Sequence, residues 1–274
     1  MLKRFAITTL ALTGVVAMTN SSHAGDGYDS LANRYDARAN RYDVPANRYD
    51  RAGLSWSGLY LGGTIGGRWS NSGWTTTSLE QPALAPDPTS ADANFKSNGF
   101  RGALHLGVNA QSGVVVWGIE GDIGTASNKA SMVGIPGTAP ANVLATSPDS
   151  FSIETTWDGS VRLRAGVLVT PAFLLYGTGG FAMQEVKISA TCLLAGPWCV
   201  ADRADTHSYL QTGWTLGAGA ETALTKHWFA RAEYRHSDFS SSSSTLFKDA
   251  PIDTVDGRNK LKTEMINLGL SYKY

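Results

Sequence analysis

The chain has no surplus of either charge, since 23 lysines and arginines stand against 23 aspartates and glutamates in 274 residues. A nucleic-acid binder needs a basic surplus or stripe to neutralise phosphates, and no local run supplies one, so nucleic acid is set aside as a partner. Long apolar runs are missing beyond Met18. A transmembrane helix needs about 20 consecutive apolar residues, so a mature chain that enters a bilayer must enter as strands. Cysteine is scarce, with only Cys192 and Cys199. Two thiolates without histidines at ligand spacing leave a tetrahedral zinc shell half empty, and no metal or other cofactor is expected. The pair, which flanks Gly196 and Pro197, is read as a disulfide closing a small loop in an oxidising compartment.

Lys3 and Arg4 precede an almost wholly apolar segment, Phe5 to Met18, and Ser22-His23-Ala24 ends in residues that a signal peptidase accepts. Residues 1–24 are therefore expected to be a signal peptide cleaved after Ala24, the apolar run being too short to span a membrane. An Ala-Asn-Arg-Tyr-Asp repeat then begins at Ala32, Ala39 and Ala46. Its period of seven suggests a coiled coil, yet Tyr35, Tyr42 and Tyr49 are the only large apolar residues in their units and Pro45 interrupts the series. One apolar position per heptad leaves no stripe to bury. Residues 25–55 are read as a flexible periplasmic tail. Binding of a cell-wall or protein partner is one account of the repeat, and expansion within an unconstrained linker is the simpler one.

From Trp56 the pattern changes to period two, in which successive side chains face opposite sides of a strand. Phe100, Leu104, Leu106 and Val108 alternate with Arg101, His105 and Asn109; Trp157, Val161, Leu163, Val167 and Val169 alternate with Asp158, Ser160, Arg162 and Arg164. Further apolar lines run through Leu59, Leu61, Ile65 and Trp69, through Val115, Trp117, Ile119 and Ile123, and through Phe173, Leu175, Phe181 and Met183, where Leu174 and Tyr176 compete for the same face. Others run through Trp214, Leu216, Ala218, Ala220 and Leu224, through Trp228, Ala230, Ala232 and Tyr234, and through Ile266, Leu268, Leu270, Tyr272 and Tyr274. These make eight strands. The links near 111–113, 170–172 and 225–227 are short, whereas those near 70–98, 125–153, 189–207 and 240–262 are long and rich in turn residues.

Alternating short and long links with an even strand count predict an all-β fold: an eight-stranded antiparallel up-and-down transmembrane β-barrel over residues 56–274, with short periplasmic turns and four long extracellular loops. A soluble barrel uses similar strands inside out. Charged residues at consecutive inward positions favour the membrane version. So do aromatics near strand ends, Trp56, Trp69, Trp157, Trp228, Tyr272 and Tyr274, where interfacial girdles lie.

Trp56-Ser57-Gly58-Leu59-Tyr60-Leu61-Gly62-Gly63 resembles the opening strand of a family of small outer-membrane β-barrel proteins of Gram-negative alphaproteobacteria, related to OmpA-type and opacity-type barrels. Gly118-Ile119-Glu120-Gly121-Asp122, the Gly213 to Glu221 segment, and Arg231-Ala232-Glu233-Tyr234-Arg235 with Asp238-Phe239 are similar to the same family. The resemblance covers about residues 56–274. It implies a porin-like barrel in the outer membrane, in contact with lipopolysaccharide and linked to envelope integrity, surface recognition or heme binding. It also implies that Tyr274 serves as the terminal aromatic read by the outer-membrane assembly machinery, although the family usually has Phe there.

A barrel of eight strands has an interior that side chains fill. The inward candidates are Arg101, His105, Glu120, Asp122, Asp158, Arg162, Arg164, Glu221, Arg231, Glu233, Arg235 and Lys273, nearly matched in sign. They are expected to form an ion-pair network across the lumen, giving a structural protein; a narrow selective channel is the alternative. The neighbours His236-Ser237 and His207-Ser208 suggest a hydrolase, but adjacent strand residues face opposite ways and neither pair can share a proton. Catalysis is therefore not expected. Trp74, Phe95, Met132, Trp198 and Phe247 are read as loop contacts for a partner, with His207 and Tyr209 as the only candidates for heme.

Overall fold

β-Branched and aromatic residues spaced by two, punctuated by Gly and Pro, build strands, and the computed structural model contains nine among the residues it describes, 53–80, 85–249 and 253–274. The segment read as a signal peptide, the expected cleavage after Ala24 and the three repeats lie outside the described residues. The strands are β1 (Gly58–Leu79), β2 (Asp92–Ser112), β3 (Val115–Val133), β4 (Ser150–Thr170), β5 (Phe173–Cys192), β6 (Arg203–Ala223), β7 (Trp228–Phe239), β8 (Ser242–Leu246) and β9 (Val255–Lys273). Each is antiparallel to its neighbours, and β1 pairs with β9 from Tyr60↔Lys273 to Leu79↔Val255, which closes the ring. Closure removes the edges that an open sheet would expose.

The ring has eight staves because β7 and β8 share one place. β7 pairs with β9 up to Asp238↔Lys262, and β8 resumes along β9 from Ser242↔Asn259 to Leu246↔Val255. Gly113, with a φ of +60°, sits in the tight turn between β2 and β3. The longer links are shorter than the sequence suggests. They occupy 80–91, 134–149, 193–202 and 240–254, the second holding the one-turn helix α1 (Ala141–Leu144) and the last holding β8. The strands extend well into the segments read as loops because there the polar residues face outward.

Half-way along each stave the polarity inverts. On β1 the outward residues are Leu59, Leu61, Ile65 and Trp69 below, then Asn71, Thr75 and Thr77 above. On β9 Leu270, Leu268 and Ile266 give way to Lys262, Lys260 and Arg258. The apolar belt is about ten residues deep, the length of a membrane-spanning strand. β1 has 22 residues and β5 has 20, so roughly half of each stave stands above the belt. The interior inverts with the exterior: charges fill the level of the belt, and Trp74, Phe95, Phe151, Val186, Ile188 and Leu261 form a buried apolar core above it. Strands that rise into water bury apolar side chains in the only dry space left, the inside of the barrel.

A bulge makes this switch on β4. The inward residues are Asp158, Ser160, Arg162 and Arg164 below, but Phe151, Ile153 and Thr155 above, and the register slips between Thr155 and Asp158. One extra residue exchanges the two faces of a strand.

Candidate functional site

The lumen is the site to which the sequence points, and it is filled at three heights. At the periplasmic base, the segment before β1 folds into the mouth. Trp56 is buried there, its indole N–H donating to Pro171 O at 3.0 Å and its ring centroid 4.8 Å from that of Phe229. Val116, Leu168, Leu174 and Tyr176 complete this cork. Trp56 therefore does not belong to the outer aromatic girdle; it lies two residues before β1 and shares the even parity of the inward Tyr60, Thr64 and Arg68. Trp69, Trp228 and Tyr274 are exposed on the outer face, and Tyr272 packs edge-on against Trp228 and Tyr274.

Above the cork lies a network of buried charge. Arg162 bridges Glu120 and Glu233, each at 2.6 Å, and reaches Asp122 at 3.1 Å. Arg231 pairs with the second oxygen of Glu120, which also accepts from Tyr60 Oη at 2.8 Å. Arg101 binds Asp122 at 2.8 Å and Asp158; Arg235 binds Asp122 at 2.7 Å. Arg164 pairs with Glu221 and stacks 3.8 Å above the Tyr176 ring, whose hydroxyl donates to Glu233 at 3.2 Å. The structure thus brings together ten of the charged groups named from the sequence. His105 is buried in the same lumen but pairs with Ser271 Oγ at 2.8 Å, outside the ion pairs. Lys273 stands apart: its ammonium donates to Ser55 O and lies 5.4 Å from the Phe229 ring centroid, with no carboxylate within ion-pair reach among the described residues. Its position at the end of β9 places it in the mouth, below the carboxylates.

The sequence reading missed Arg68. This fully buried side chain donates to Asp158 and Asn128 and to the carbonyls of Ala126 and Thr155, at 2.6–3.2 Å. The signal was present, since the outward line Leu59, Leu61, Ile65 and Trp69 turns Arg68 inward. Asp158 consequently serves Arg68, Arg101 and Arg235 together.

The third layer corrects a further expectation. Trp74 and Phe95 lie on strands, and with Trp198 and Phe247 they point into the upper core, with Met132 partly buried against it. None is a free loop contact. The Cys192–Cys199 disulfide belongs to the same core and closes the link between β5 and β6. Tyr209 is packed against this core and receives a hydrogen bond from Asn259, while His207 pairs with Asp205 at 2.9 Å. His236 Nδ1 meets Glu264 at 2.6 Å on the outer face, whereas Ser237 Oγ donates inward to Thr215, so this adjacent pair is divided by the barrel wall.

A closed ring of antiparallel staves, apolar outside over one membrane depth and charged within, defines an outer-membrane β-barrel. The model of the outer membrane protein beta-barrel domain matches residues 44–274, and the chain belongs to that family. A 22 kDa outer membrane protein of Rhizobium leguminosarum bv. viciae is 31% identical over 176 residues, covering 64% of this chain and 67% of the relative. A 31 kDa outer-membrane immunogenic protein of Brucella melitensis biotype 1 is 29% identical over 234 residues, covering 81% and 85%. A 25 kDa outer-membrane immunogenic protein of Brucella canis is 27% identical over 220 residues, covering 80% of each. Among solved structures, the outer membrane protein OprG of Pseudomonas aeruginosa is similar with 11% identity and a TM-score of 0.46, covering 80% of this chain and 96% of its own. The protein resides in the outer membrane.

Proposed function

We propose that the protein is a closed structural element of the outer membrane and does not conduct solutes. The observation that carries this reading is the filled lumen, with the Trp56 cork, the charge network and the upper core stacked along one axis. Eight staves leave an interior only wide enough for side chains, and a hydrated path would have to break buried ion pairs costing several kcal/mol each. A plugged cylinder with a stiff wall contributes to envelope integrity through its lipid contacts. Lys96, Arg258, Lys260 and Lys262 project just above the apolar belt, where phosphates of lipopolysaccharide would lie. Tyr274, exposed at the lower rim, is suited to recognition by the assembly machinery. The extracellular rim supports a subsidiary role in surface recognition, which accords with the naming of the Brucella relatives as immunogenic proteins.

Planar-bilayer recording on the refolded barrel tests the closed reading. The expected record is silent, for the native protein and for Trp56→Ala alike, because the charge network above the cork still fills the bore. Steady unitary conductance of the native protein would establish the channel reading instead.

A further inference from the structure

The break in the seventh stave leaves a gap in the wall of the upper barrel. β7 pairs with both β6 and β9, but β8 pairs with β9 alone. The part of β6 above Gly213, from Arg203 to Thr212, has β5 on one side and no backbone ladder on the other. Two clasps bound this opening. At the lower end, Ser240 N donates to Thr212 O at 2.9 Å and Gln211 Nε2 donates to Ser240 O at 2.7 Å. At the upper end, Phe247 N donates to the Asp205 carboxylate at 2.6 Å. Phe247 adopts a φ of 58°, a left-handed conformation that disfavours a side chain, and is held there by this bond and by burial in the upper core.

Between the clasps no backbone hydrogen bond joins β6 to β8 among the described residues. A cleft of about 450 Å³ opens there, lined by His207, Ser208, Tyr209, Ser243, Thr245 and Lys248 among others. In a strand, alternate residues direct their N–H and C=O groups to the same edge. Since Thr212 O points into the gap, Thr206, Ser208 and Leu210 present their backbone groups to it as well. Unpaired edge groups of this kind are a template for another strand. The distance between the clasps along β6 accommodates about five extended residues at ~3.4 Å each.

We propose that this seam is a β-augmentation site on the extracellular side, which takes an extended polypeptide segment of about five residues along the free edge of β6. A polypeptide fits because the edge offers a row of donors and acceptors at strand spacing. The walls contribute mainly hydroxyls, with His207, Lys248 and Asp256 among them and no aliphatic side chain, so recognition rests on main chain and polar contacts more than on an apolar anchor. The proposal stands independently of whether the lumen conducts.

The test uses the mature protein in lipid nanodiscs and a fluorescent peptide Val-Lys-Ile-Ser-Ala, the sequence of residues 186–190, which pairs with Tyr209 to Asp205 on the opposite edge of β6. Fluorescence polarisation is expected to show saturable binding that weakens at least about tenfold when alternate peptide amides are N-methylated. Ser208→Pro removes a donor that faces the seam, not β5, and is expected to weaken binding similarly, whereas Ser208→Ala retains it. Heat-modifiable electrophoretic mobility reports whether each variant folds, and the N-methylated peptide decides the matter if Ser208→Pro does not. Absence of saturable binding, or binding indifferent to N-methylation, overturns the proposal. So does a stable dimer of the chain with which the peptide fails to compete, since a second copy would then occupy the seam.

Discussion

Asp158 is the most heavily shared carboxylate of the lumen, facing Arg68, Arg101 and Arg235 from β4. Removing it leaves three guanidiniums crowded in a space from which water is excluded, and breaking a buried pair from one side costs about 3–5 kcal/mol. Asp158→Ala is therefore expected to lower stability by that amount in urea unfolding followed by tryptophan fluorescence. Gly257 makes a different demand. A Cβ at that position would lie 1.9 Å from Cζ2 of Trp74, which is buried and cannot retreat. Gly257→Ala is expected to cost about 1–3 kcal/mol by overpacking and to blue-shift or broaden tryptophan emission as the indole moves. Individual residues were unevenly legible in the sequence. Alternation alone turns Arg101, Glu120, Arg162 and Arg231 inward, and it would have done the same for Arg68 had the first strand been read on both faces. Trp56 shares the even parity of Arg68, so alternation carried a signal for its burial too, whereas its packing against Phe229 and Pro171 in the mouth was decided by the tertiary structure.

At the scale of elements, the lower half of each stave declares itself because lipid is a uniform solvent that demands an apolar residue at every second position. The upper halves of β1 and β2 were hidden for the opposite reason. Outward Asn71, Thr75, Asp92, Asn94 and Lys96 have the composition of a loop, and the strand is recognised only when the inward Trp74 and Phe95 are seen to meet Phe151 at ring-centroid distances of 5.0 and 5.3 Å. The bulge on β4 adds to the concealment by exchanging faces in mid-strand. The link between β5 and β6 rests on the Cys192–Cys199 disulfide, which closes a loop with a sequence separation of 7. In the chain-entropy account such a closure contributes about 2–3 kcal/mol. Replacing both cysteines by serine is expected to expose residues 193–202 to proteolysis, read by mass spectrometry of the fragments, while the heat-modifiable mobility of the barrel persists.

Across the whole molecule, the inversion of polarity at mid-height predicts that the same substitution has different costs at two levels of the outer face. Leu163 lies within the apolar belt, and Leu163→Arg is expected to destabilise the barrel by about 2–4 kcal/mol in a lipid-vesicle unfolding assay. Ser189 faces outward above the belt, and Ser189→Arg is expected to change stability by no more than about 0.5 kcal/mol. Equal costs at the two positions would show that the belt has been placed at the wrong height. Taken by itself, the sequence determined the strand-rich character, the lipid-facing side of each stave and the charged character of the lower lumen, because these depend on a residue and its neighbours two positions away. Tertiary structure decided which charges meet, as in Arg68 with Asp158 across 90 residues, and it decided the cork, the upper core and the broken stave. Those features arise from ring closure and register, which set at what height each inward side chain faces the opposite wall, and that height is a property of the whole ring.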